Sequence, residues 1–176
     1  MYKKIAIILM GLGSLEAVAS DETRHQRDPA KLAQFMGTLS GQWTCEEGTA
    51  GGTETAATIE FNGRHNNQVY TFTQVGTKGH TNTLESIWAY DANSKSLIVS
   101  RRYMSPTGVS TDMFEAENWD ETNLILNARE LWNRPFIDHR FLFQITSPEQ
   151  FKVTWEVNRK GQGYKMGDYL SCLKSN

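Results

Sequence analysis

From Gly41 to the end of the chain, apolar and polar residues alternate in short runs. In FKVTWEV, Phe151, Val153, Trp155 and Val157 fall on one face and Lys152, Thr154 and Glu156 on the other; IDHRFLFQI gathers Ile137, His139, Phe141, Phe143 and Ile145. Successive side chains of a strand point to opposite faces, so a period of two marks half-buried strands and excludes a helical plan. Between most runs stand FNGR, YDANSKS, SPTG, NWDETN, SPEQ and RKGQG, which carry the Gly, Asn, Asp and Pro that tight turns need. The pattern predicts strands at 42–48, 53–61, 67–75, 82–91, 96–103, 110–118, 123–132, 137–146, 150–158 and 164–174, with eight to ten as the range of the count. Connections of about two to six residues make successive strands antiparallel neighbours, which is a meander. A meander this long twists and leaves two edges open to aggregation, and closing it into an up-and-down barrel removes both.

The two cysteines fix how the barrel would close. Cys45 lies in the first expected strand and Cys172 in the last. In an even-stranded barrel these strands run antiparallel side by side, so a Cys45–Cys172 pair sets the register and places Trp43 opposite Lys174. An ammonium over an indole contributes roughly 0.5 to 2 kcal/mol. One disulfide is the natural reading in an oxidising compartment, the alternative being two buried free thiols.

Ahead of the strands, DPAKLAQFMGTLSG has Asp28 as N-cap, Pro29 at the first helical position, and Leu32, Phe35, Met36 and Leu39 on one face. It reads as a short amphipathic helix that ends between Gly37 and Gly41 and plugs one end of the barrel. Residues 1–19 have Lys3 and Lys4, an apolar run from Ile5 to Leu15 and the small residues Ala17-Val18-Ala19, the layout of a secretory signal peptide. A retained anchor is the alternative, but the run is shorter than the roughly 20 apolar residues a spanning helix needs. Residues 20–27 read as a flexible leader, and 28–176 as one domain. The protein is therefore expected to be exported, periplasmic or secreted. A formal net charge of −2 argues against nucleic acid as partner.

A short helix leading into Gly41-x-Trp43 on the first strand, with a cation on the last strand facing that tryptophan, resembles the calycin group: lipocalins, fatty-acid-binding proteins and small bacterial lipocalin-like domains. The segment WAYDANSKSLIVSRRY is similar to the last of these. In lipocalins the cation is usually an arginine, so Lys174 is a departure. The resemblance implies a lumen that binds a small hydrophobic or amphipathic molecule.

The candidate ligand-binding residues are Tyr70, Phe72, Trp88, Arg101, Tyr103, His139 and Phe141. The aromatics suit an apolar pocket, or they simply fill a solid core. Arg101 shares a face with Leu97, Val99 and Tyr103, and His139 with apolar neighbours; a charge there needs a partner, because burying it alone is costly. Arg101 can hold a ligand carboxylate with His139 orienting it, or both can reach water at the rim. No metal-ligand spacing, nucleophile elbow or phosphate-cradling loop is present, and no cofactor is implied. Asp138 and His139 are not a dyad, since strand neighbours point apart. A cavity hydrolase or isomerase would use His139 with a carboxylate such as Glu115. A protein-interaction module of the cell envelope would use Arg64–Gln68 or Leu131–Phe136, where Trp132 and Arg134 are favoured anchor types.

Overall fold

The computed structural model describes residues 28–49, 54–65, 68–78, 82–131 and 137–175. The expected signal peptide and leader lie outside the described residues, as do Trp132, Arg134 and most of the two loops considered as interaction surfaces. Helix α1 spans Pro29–Leu39. Ten strands follow: β1 Gly41–Thr49, β2 Glu54–Arg64, β3 Val69–Lys78, β4 Thr83–Asp91, β5 Ser96–Ser105, β6 Gly108–Trp119, β7 Asn123–Leu131, β8 Ile137–Ser147, β9 Gln150–Arg159 and β10 Tyr164–Lys174. Each pairs antiparallel with its sequence neighbours, and β1 pairs with β10, so the sheet is a closed barrel.

The closing seam has the register the cysteines predict: Cys45 opposite Cys172 and Trp43 opposite Lys174. The disulfide is formed, with the two Cα atoms 4.0 Å apart. The Lys174 ammonium stands 5.2 Å from the Trp43 ring centre, so lysine takes the place over the indole that lipocalins give to arginine. Gly41 adopts φ +124°, and Lys174 Cε lies 3.4 Å from where a Cβ would stand. Backbone conformation and the lysine stem overhead both call for glycine two residues before the tryptophan.

Both ends of α1 are tied down by indoles. Asp28 caps its start by accepting from the Ala30 N–H at 2.8 Å, while Trp119 Nε1 donates to the Asp28 carbonyl at 2.8 Å. At the other end Trp43 Nε1 donates to the Leu39 carbonyl at 2.8 Å, satisfying one of the carbonyls a helix leaves open. Leu32, Phe35, Met36 and Leu39 are buried in the barrel end, and we call this the helix end.

Below the helix the lumen is solid. Trp43 meets Phe151 edge to face at 4.7 Å, and Phe61 meets Phe72 at 4.7 Å and Trp88 at 5.5 Å in the same manner. Such contacts add about 0.5 to 1.5 kcal/mol each beyond area burial. Trp43, Phe61, Phe151, Leu39 and Leu124 are at most 1% exposed. The apolar face of nearly every strand points inward, the reverse of a membrane-spanning barrel, whose outer band is apolar. No helix among the described residues is long and apolar enough to cross a membrane.

Candidate functional site

The other half of the lumen, away from α1, differs in chemistry. Val99 and Arg101 on β5, Asp112 and Phe114 on β6, and Phe141 and Phe143 on β8 face inward by the same alternation that builds the core. Arg101 and Asp112 are direct cross-strand partners, and Nη2 of the arginine donates to Oδ2 of the carboxylate at 2.5 Å. Their side chains are only 16% and 14% exposed, so the pair is mostly shielded from water. The guanidinium carbon also lies 4.7 Å from the Phe114 ring centre and 4.8 Å from that of Phe141. Two rings and one carboxylate therefore fix its plane.

Beside this pair is a cavity of about 60 Å³ bordered by Phe72, Leu84, Trp88, Arg101, Phe141 and Leu170. For scale, a cavity of about 150 Å³ has been found to admit benzene. As it stands, the space takes the tip of a ligand. Leu84, Phe141 and Leu170 are only partly buried, so the side chains that would have to yield are those at the rim. Ser86 is buried on the cavity wall and accepts from Trp88 Nε1 at 2.7 Å, which also orients the indole.

A second carboxylate faces the same half. In β10 the register shifts between Met166 and Asp168, so that Lys165 opposes Val157 and Asp168 opposes Trp155. Gly167 occupies the shift, and a Cβ on it would stand 2.4 Å from the Trp155 ring. The bulge reverses which parity of β10 faces inward. Burial raises the Asp168 carboxyl, and the charge of Glu47 raises it further, against the lowering influence of Arg101; the result is about 6.

Of the residues singled out from sequence, Phe72, Trp88, Arg101 and Phe141 border the cavity. Tyr70 is elsewhere: it is 5% exposed and lines a groove of about 330 Å³ beside α1, with Leu32, Met36 and Tyr90. Tyr103 lies between Leu84 and Ser110 on neighbouring strands, beyond the cavity lining. His139 is 5% exposed and sits behind the cavity, stacked on Phe114 with ring centres 5.4 Å apart. The imagined His139–Glu115 combination does not form. Glu115 follows Phe114 and so turns to the opposite face, where it pairs with Arg129 at 2.6 Å and accepts from the Ser96 hydroxyl at 2.6 Å. Asp138 likewise points away from His139 and accepts from the Tyr164 hydroxyl at 2.8 Å.

Sequence reasoning missed Asp112, Asp168 and Leu170. Asp112 was within reach, since Asp112, Phe114 and Ala116 alternate on one face. Asp168 and Leu170 were within reach too, since both alternate with Cys172 on one face of β10. No group of three or more His, Cys, Asp or Glu suited to a metal ion occurs among the described residues.

The architecture is that of a calycin-like barrel: closed, antiparallel and plugged by an N-terminal helix. No protein-family model matches the chain, and no curated protein matches it in sequence. Solved structures match it in shape. The S-type phycobiliprotein lyase CPES from Guillardia theta superposes with a TM-score of 0.52 at 8% identity, covering 83% of this chain and 93% of the lyase. A redesigned β-barrel, mFAP0, bound to DFHBI, matches with a TM-score of 0.45 at 13% identity, over 78% of this chain and 99% of that one. These likenesses concern the fold.

Proposed function

We propose that the protein is an exported binding barrel that takes a small hydrophobic or amphipathic molecule through the end of the lumen opposite α1. The carrying observation is the contrast within one lumen. Under α1 the lumen is filled by interlocked rings, with a groove of about 330 Å³ beside the helix, while the far end keeps a cavity walled by aromatic and aliphatic side chains with Arg101 among them, the composition typical of small-molecule sites. The apolar body would lie among Phe72, Trp88 and Phe141. Entry of a whole ligand displaces Leu84, Phe141 and Leu170 at the rim. Arg101 is already matched by Asp112, so its charge is not waiting for a ligand's carboxylate.

Export rests on the signal-like residues 1–19 and is in keeping with the Cys45–Cys172 disulfide, a bond rare in reducing compartments. Native mass spectrometry of the protein purified from its own cells tests both parts. The expected result is a mature chain lacking the first 19 residues, carrying a small molecule that dissociates on denaturation. Titration with the neutral fluorophore N-phenyl-1-naphthylamine gives the complementary result, a saturable rise in emission. Absence of both a retained molecule and saturable probe binding would sink the reading.

A further inference from the structure

The Arg101 guanidinium has a donor to spare. One terminal nitrogen is committed to Asp112, and the plane is held by Phe114 and Phe141, so the group cannot rotate to find other partners. Its Nε is buried and has no hydrogen-bond partner among the described residues. A charged donor left in that state is costly, and native structures seldom keep one without a use for it. The residue borders the far cavity, whose other walls are mostly hydrocarbon: Leu84, Val99, Leu126 and Leu170 offer no acceptor, and neither the Gln74 amide nor the Ser86 hydroxyl on the same wall bonds the Arg101 Nε.

We propose that the cavity selects neutral molecules in which a hydrogen-bond acceptor, such as a ketone, ester or amide carbonyl, adjoins an apolar and preferably aromatic body, with the acceptor oxygen seated on the Arg101 Nε–H. This rests on the reading of the far lumen as a binding site. The charge of the acceptor follows from its surroundings. Asp112 neutralises Arg101, and Asp168 adds a further negative charge close enough to Arg101 for the two to interact. An anionic ligand would bring one more negative charge into a half already richer in carboxylates than in cations. A neutral carbonyl satisfies the donor without that repulsion, and aromatic walls favour a flat body beside it.

Three molecules of similar size separate the cases: acetophenone, ethylbenzene and benzoate, each titrated into the full chain at pH 8 by ligand-observed NMR. Acetophenone is expected to bind at least tenfold more tightly than either of the others, and to shift the Arg101 Nε–H resonance downfield in the unmodified protein. Arg101→Lys keeps the charge for Asp112 but removes the planar donor, and is expected to erase the preference for acetophenone over ethylbenzene. Equal binding of these two to the unmodified protein would overturn the inference, with water serving the donor, while leaving the lumen reading intact. A preference that persists in Arg101→Lys also overturns it. Binding of none of the three overturns it together with the lumen reading.

Discussion

The two halves of the lumen are built from the same ten strands and the same alternation, yet they are put to different uses. At the helix end, Trp43, Phe61 and Phe151 interlock edge to face under α1 and are essentially inaccessible. At the far end, Phe141 and Leu170 are only partly covered, a charge pair lies on the wall, and a carboxyl is held at about 6. Filling a barrel with rings maximises buried area and leaves nothing to bind. Placing Arg101, Asp112 and Asp168 inside costs desolvation and leaves room. The helix end therefore carries stability, and the far end carries the capacity to recognise something.

The largest test of this division is removal of the seam. Replacing Cys45 and Cys172 together by serine opens a loop with a sequence separation of 127. In the chain-entropy model this costs about 4 to 5 kcal/mol, seen as a lower denaturation midpoint. Next, Phe→Ala is made once in each half. At Phe151, which is 0% exposed, it is expected to cost about 3 to 5 kcal/mol. At the partly buried Phe141 it should cost about 1 to 2 kcal/mol, while enlarging the cavity and changing ligand affinity. Equal losses at the two sites in chemical denaturation would break the comparison.

Smaller effects sharpen it. Trp119→Phe keeps an aromatic ring but removes the donor to the Asp28 carbonyl and leaves part of the buried indole's space empty. The lost hydrogen bond is expected to cost about 1 kcal/mol, with the vacated space adding to it, and to speed amide exchange in α1 while leaving probe binding at the far end unchanged. Asp168→Asn addresses the far end. Because the folded carboxyl titrates near 6, above its ordinary 3.8, ionising it opposes folding, and wild type regains that stability as pH falls from about 6 towards 3.8. The asparagine variant should therefore be more stable than wild type at pH 8, by about 1 kcal/mol once solvent screening of a partly exposed group is allowed for. That gap should close on acidification. A pH-independent gap would remove Asp168 from the titrating groups of this half.

Much of the fold was legible because its causes are local. The period of two gave the strands to within a few residues, Asp28 and Pro29 marked the start of α1, and turn residues marked the hairpins. One long-range fact, the cysteine pair, then fixed the seam and with it Trp43 opposite Lys174. The site was legible in part. Phe72, Trp88, Arg101 and Phe141 were found by sharing a face with apolar neighbours. Tyr70 shares that face too, but the alternation carries no information on height along the barrel, and Tyr70 belongs to the groove beside α1.

By itself the sequence determined periodicity, strand order and the closing register, since each follows from side-chain direction along one strand or from a covalent bond. The tertiary structure alone decided which inward side chains interlock and which leave space. That depends on residues from strands far apart in sequence meeting across the lumen, as Trp88 meets Phe143 at 5.2 Å. It also decided where the inward parity of β10 breaks, because the register shift falls at Gly167, where a Cβ would meet the Trp155 ring of the adjacent strand.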